Sequence, residues 1–96
     1  MSSNPARNPI IVLREEFDNW GLLFDPDKGK VIVINPVGVS VWKLMDGKRD
    51  INEIVRKIRD LYSEVSDEAP KEIEAFINDL ADRGLVGSLI DPVKNQ

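Results

Sequence analysis

Apolar residues in the first third of the chain come in short runs separated by turn-forming residues. Ile10-Ile11-Val12-Leu13 gives way to Arg14-Glu15-Glu16, so residues 10–17 are predicted as a first strand that leaves the core. Trp20 to Phe24 reads as a second strand and Lys30 to Ile34, rich in β-branched side chains, as a third. Between these two stands Asp25-Pro26-Asp27-Lys28-Gly29. Proline presets the first corner of a turn, and glycine takes the positive φ that closes a hairpin. Two hairpins in succession give a small antiparallel meander.

At Asn35-Pro36 the period changes. Asn35 is a good helix cap, and Pro36 suits the first helical position, where its missing N–H has no partner to lose. Val37, Val41, Leu44 and Met45 recur at helical spacing, and Asp46-Gly47 offers the left-handed conformation on which many helices end. Asp50 with Glu53 three residues on predicts a capping box, with aspartate replacing the usual serine or threonine. Ile51, Ile54, Val55, Ile58 and Leu61 form the apolar stripe of a second helix that runs to Tyr62. After a polar connection over 63–69, a third helix runs from about Pro70 to Arg83, with Gly84 as its stop. Leu85 to Ile90 reads either as a short final strand or as an extended tail packed on the bundle. There is no internal repeat. The expected class is α+β and winged-helix-like: a three-stranded antiparallel sheet followed by a three-helix bundle gathered on one face.

Val31 to Ile34 breaks the usual alternation, because both faces of the strand are apolar. A half-exposed strand should be polar at every second position. Burial as a central strand explains the pattern. So does an open edge that receives a guest strand, since in a three-strand meander an outer strand has one unpaired side.

Composition narrows the chemistry. Ninety-six residues fit one domain with a modest core. Neither cysteine nor histidine is present, which removes disulfides, thiolate chemistry and the usual base at neutral pH, and leaves only oxygen ligands for a metal. The lack of cysteine fits a reducing compartment such as the cytoplasm. The longest apolar run is four residues, against about 20 needed to span a bilayer, so no membrane segment is expected. Residues 1–9 and 91–96 read as flexible tails flanking a domain over 10–90.

The net charge of −4 gives no general attraction to nucleic acid. A winged-helix DNA-binding domain is nevertheless the main rival on architecture. Residues 48–62 carry five basic and three acidic side chains, but residues 63–83 carry two basic and seven acidic. The last helix, which would enter the major groove, offers Glu72, Glu74, Asp79 and Asp82 to phosphates. Catalysis has no candidate machinery. Ser40, Ser63, Ser66 and Ser88 have no histidine to activate them, and glycines occur singly rather than in a phosphate-cradling loop. No cofactor is implied. A regulatory or protein-interaction module of the same fold is a further alternative.

The run NPVGVSVWKLMDGKRDINEIVRKI, residues 35–58, resembles the signature of coenzyme PQQ synthesis protein D and its relatives, small peptide-binding domains also called RiPP recognition elements. The resemblance extends over about residues 10–86: a strand pair, N-P-x-G-x-x-x-W opening a helix, D-G before an acid-capped helix, and a closing helix ending in R-G-L. It implies a non-catalytic domain that binds the leader of a ribosomally made precursor peptide. The leader adds as a strand to the third strand, beside the third helix, and is presented to a modifying enzyme, often a radical SAM enzyme.

On this sequence the receiving edge falls on Lys30, Val31, Ile32, Val33 and Ile34, and the groove wall on Ile73, Phe76, Ile77, Leu80 and Arg83. The helical wheel puts Phe76 and Arg83 on one rim of the apolar face and Ile77 and Ala81 on the other, and either rim can meet a guest. The same apolar stripe is equally the pattern of an ordinary core-facing helix. Trp42 is expected in the core, whereas Trp20 could anchor a partner. Lys48-Arg49 and Arg56-Lys57-Arg59 read as solvated helix faces.

Overall fold

The computed structural model describes residues 4–62 and 66–88. Strands β1 (Pro5–Arg7) and β2 (Val12–Glu15) are followed by a short 3-10 turn over Phe17–Asn19, then β3 (Gly21–Asp25) and β4 (Lys30–Ile34). Helices α1 (Pro36–Leu44), α2 (Ile51–Leu61) and α3 (Ala69–Asp82) come next, and β5 (Val86–Ser88) closes the described chain. Strands β2, β3 and β4 form the expected antiparallel meander in that order, so β4 is an outer strand.

Register divides the sheet into two faces. Leu13, Leu23 and Ile32 lie side by side toward the helices, while the rows Val12–Phe24–Val31 and Arg14–Leu22–Val33 face away. Leu23 and Ile34 are buried, whereas Val31 and Val33 are 55% and 62% exposed. The alternative of a buried central strand is thereby settled against: β4 is apolar on both faces while only one face is covered.

Local chemistry explains the element boundaries. The Asp25 side chain accepts the backbone N–H of Asp27 at 2.9 Å, and Gly29 takes a φ of 65°, closing the β3–β4 turn. Asn35 Oδ1 accepts the Gly38 N–H at 2.8 Å with Pro36 at the first helical position, as expected for a capped start. The capping box at α2 is complete: the Asp50 carboxylate accepts the Glu53 N–H at 2.8 Å, and that of Glu53 accepts the Asp50 N–H at 2.9 Å. At the end of α3 the Gly84 N–H donates to Ala81 and the Leu85 N–H to Leu80, the paired bonds of a left-handed helix stop.

Two sequence expectations need correction. Helix α1 ends at Leu44, before Asp46-Gly47, and Gly47 with its φ of 81° serves the turn toward α2. Residues 5–7, expected to lie in a flexible tail, form β1 and pair with β5, with Arg7 opposite Val86. The Arg7 guanidinium donates to the Lys43 carbonyl (2.9 Å), an acceptor at the open end of α1, and more weakly to that of Trp42 (3.4 Å), which also accepts the Met45 N–H. Of the two readings open for 85–90, a short strand or an extended tail, the strand is found over Val86–Ser88. Residues 89–96, with the second expected tail, lie outside the described residues.

The core sits between the inner face of the sheet and the three helices. Trp42, Met45, Ile54, Ile58, Ile77 and Leu80 are each no more than 3% exposed. Gly21 permits close approach of α1 to the sheet: a Cβ there would stand 2.8 Å from Val39 Cγ2 and 2.9 Å from Leu13 Cδ1.

Candidate functional site

One side of β4 is hydrogen-bonded to β3, and among the described residues no strand pairs with the other. Because β1 pairs with β5 instead, the chain's own first strand does not occupy this edge. Alternate backbone N–H and C=O groups of Lys30–Ile34 therefore point to an unpaired side.

Beside this edge lies a cavity of about 500 Å³. Val33 and Ile34 form its strand side, Val37, Gly38 and Val41 its α1 side, and Ile58 comes from α2. Helix α3 contributes Ala69, Glu72, Ile73 and Phe76, and Ser66 from the preceding loop also borders it. The lining is apolar apart from Asn35, Ser66 and Glu72. Gly38 shapes this space, since a Cβ there would meet Ile34 Cβ at 3.2 Å and Phe76 Cζ at 3.3 Å. The bare backbone of α1 lets the Phe76 ring lie between helix and strand.

A smaller cavity of about 90 Å³ lies toward the other end of β4, bordered by Lys30 and Ile32 with Arg83 and Leu85. Asp25 and Lys28 of the β3–β4 turn complete it. The N-terminal half of α3 thus faces Ile34 and its C-terminal end faces Lys30, so the helix runs antiparallel to β4 with a groove between them.

The structure resolves which rim of α3 meets the strand. Phe76 borders the larger cavity and Arg83 the smaller. Ile77 and Leu80, at 3% and 1% exposure, border neither and are core residues that seat the helix. Ile73, at 4% exposure, does both, packing in the core and forming cavity wall. Lys30, Ile32, Val33 and Ile34 border one cavity or the other, while Val31 points to the outer face. Gly38, Ala69, Glu72 and Lys28 also line the groove, beyond the site residues expected from the sequence. Of these only Gly38 carried a signal: a glycine inside a helix costs stability, so its presence indicates close packing.

Tyr62 ties the cavity's α1 wall to α2, its hydroxyl lying 2.8 Å from that of Ser40 and 3.3 Å from the Pro36 carbonyl. Trp42 is buried at 3%, whereas Trp20 is 45% exposed and Phe17, on the neighbouring turn, 85%. Among the described residues no cluster of carboxylates is arranged to hold a metal ion, and no helix is long and apolar enough to cross a membrane.

These features define a winged-helix-like α+β domain whose outermost strand opens onto an apolar groove. The family model for coenzyme PQQ synthesis protein D (PqqD) matches residues 21–86, and the chain belongs to that family. No curated protein matches by sequence. The fold is similar to that of TbiB1, solved in complex with the TbiA(beta) leader peptide, at 22% identity and a TM-score of 0.72, covering 90% of this chain and 99% of that one. It is also similar to lasso peptide synthetase B1, complexed with the leader peptide, at 16% identity and a TM-score of 0.71, covering 88% and 98% of the two chains. The heterocyclase TruD matches 96% of this chain over 12% of its own length, at 12% identity and a TM-score of 0.65.

Proposed function

We propose that this protein is a non-catalytic peptide-binding domain that captures the leader of a ribosomally made precursor as an added strand on β4. The captured leader is held for a modifying enzyme, of the radical SAM class, in the assembly of PQQ or another peptide-derived natural product in the cytoplasm. The observation that carries the reading is the juxtaposition of the unpaired β4 edge with the apolar cavity between β4, α1 and α3. Membership of the PqqD family, and the leader peptides in the complexes of TbiB1 and lasso peptide synthetase B1, support it.

Main-chain bonds to the edge supply affinity, while a side chain entering the cavity supplies choice. Each added hydrogen bond contributes about 1 kcal/mol net, and burial of one large apolar guest side chain about 1.5–3 kcal/mol. The binding residues in this reading are Lys30–Ile34 with Ile73, Phe76 and Arg83, joined by Val37, Gly38 and Ala69. The DNA-binding alternative loses further ground, because Glu72, Glu74, Asp79 and Asp82 are all exposed on α3, where they repel phosphate.

Titration of the isotope-labelled protein with synthetic leader peptides tests the proposal. The largest amide shifts are expected over Val31–Ile34 and Ala69–Phe76. Saturable binding that leaves both segments unmoved would overturn it.

A further inference from the structure

The groove is electrically polar along its length. At the Ile34 end, among the described residues, the one charged side chain bordering the larger cavity is Glu72. At the Lys30 end the smaller cavity brings together Lys28, Lys30 and Arg83. Acidic groups face them too. Asp25 borders the same cavity, with its carboxylate accepting the N–H groups of Asp27 (2.9 Å) and Lys28 (3.3 Å), and Asp79 pairs with Arg83 Nε at 3.1 Å. Lys28 and Lys30 enter no salt bridge among the described residues. Two lysines that make no ion pair among the described residues thus stand, with Asp25, beside the path a guest strand would take.

Register converts this polarity into a sequence rule. Lys30, Ile32 and Ile34 share the face of β4 that looks toward the helices. In an added strand, the residue opposite Ile34 and the residue opposite Lys30 are four positions apart and project to that same face. Resting on the strand-addition reading above, we propose that the groove selects peptides carrying a glutamate or aspartate four residues from the large apolar side chain that fills the larger cavity. The acid meets Lys28, Lys30 and Arg83, and placing it at the other end would set it against Glu72.

The test is a selection from a displayed library of random 12-residue peptides on the full chain, followed by synthesis of the strongest binders. Expected are peptides with an acid four positions from a large apolar residue. Replacing that acid by glutamine should weaken binding about fivefold, the range of an exposed ion pair. Replacing it by lysine should weaken binding further, and the difference should shrink as salt rises. Selection on the double variant Lys30→Glu with Arg83→Glu, its fold checked by circular dichroism, should enrich lysine or arginine at that position. Peptides that shift the β4 amides but show no acid preference, or lose nothing on the change to glutamine, would sink the charge rule and leave strand addition standing. A selection that yields no binder, or binders that leave the β4 amides unmoved, would sink strand addition and the charge rule with it.

Discussion

Gly38 and Asp46 show how single side chains, or their absence, set the groove and the turn behind it. A methyl group on Gly38 would sit 3.2 Å from Ile34 Cβ, 3.3 Å from Asn35 Oδ1 and 3.3 Å from Phe76 Cζ. Helix propensity favours alanine by about 1 kcal/mol, but Ile34 Cβ is fixed to its backbone and Asn35 is engaged in the cap. Overpacking of this kind costs about 1–3 kcal/mol, so Gly38→Ala should destabilise the domain by about 1 kcal/mol net in a urea melt. By displacing the Phe76 ring it should also weaken leader binding, and unchanged affinity would place the ring outside the guest's path.

Asp46 accepts the Lys48 N–H at 2.9 Å and the Arg49 guanidinium at 2.7 Å. The Lys48 N–H, chiefly, holds its carboxyl below the ordinary 3.8, with the positive charge of Arg49 acting the same way and partial desolvation opposing both. A depressed carboxyl stabilises the fold above its unfolded value and loses that contribution as pH falls through its folded one. The stability gap between wild type and Asp46→Asn should therefore be open at neutral pH and narrow as pH drops below about 3.8.

Among the elements, β4 carries the functional argument. Successive N–H groups of a strand point to opposite sides, so Ile32→Pro and Val33→Pro remove donors from different edges. One deletes a bond to β3 and should cost stability. The other deletes a donor on the open side and should abolish leader binding while the far-ultraviolet dichroism stays native. If neither folded variant loses affinity, strand addition at β4 is wrong.

How legible these elements were depends on how local their causes are. The caps at Asn35 and Asp50, the hairpin turn and the stop at Gly84 use residues within a few positions of one another, and sequence reading found them. Whether β4 was an edge or a central strand could not be read from Val31–Ile34, because that run is apolar on both faces and the answer lies in what β1 does. The larger cavity was invisible for the same reason: it joins residues from β4 to α3 that only tertiary packing brings together. The helical wheel placed Phe76 and Arg83 on a common rim, but the direction of that rim depended on how α3 crosses the sheet.

Across the whole molecule, the two termini of the described chain are stitched together. Strand β1 pairs with β5, Asn8 bonds the carbonyls of Leu85 and Gly84, Pro5 accepts the Gly47 N–H, and Arg7 caps α1. MSSNPARNP has no apolar run to reveal this, and its partners lie about forty or eighty residues away along the chain. Arg7→Ala should cost about 1 kcal/mol by leaving carbonyls at the end of α1 without their charged donor. Deleting residues 1–8 should cost more, since it removes the whole β1–β5 ladder and the bridge from Ala6 to Asp46. Urea denaturation of the three proteins gives the order wild type, Arg7→Ala, truncated chain. Leader affinity, measured well below each midpoint, should be equal for wild type and Arg7→Ala, because Arg7 lies at the end of α1 away from the cavity that Val37, Gly38 and Val41 line. A truncated chain as stable as wild type would show that the N-terminal strand is an ornament of the fold; a stable one with weakened leader binding would show that β1 props the groove from behind.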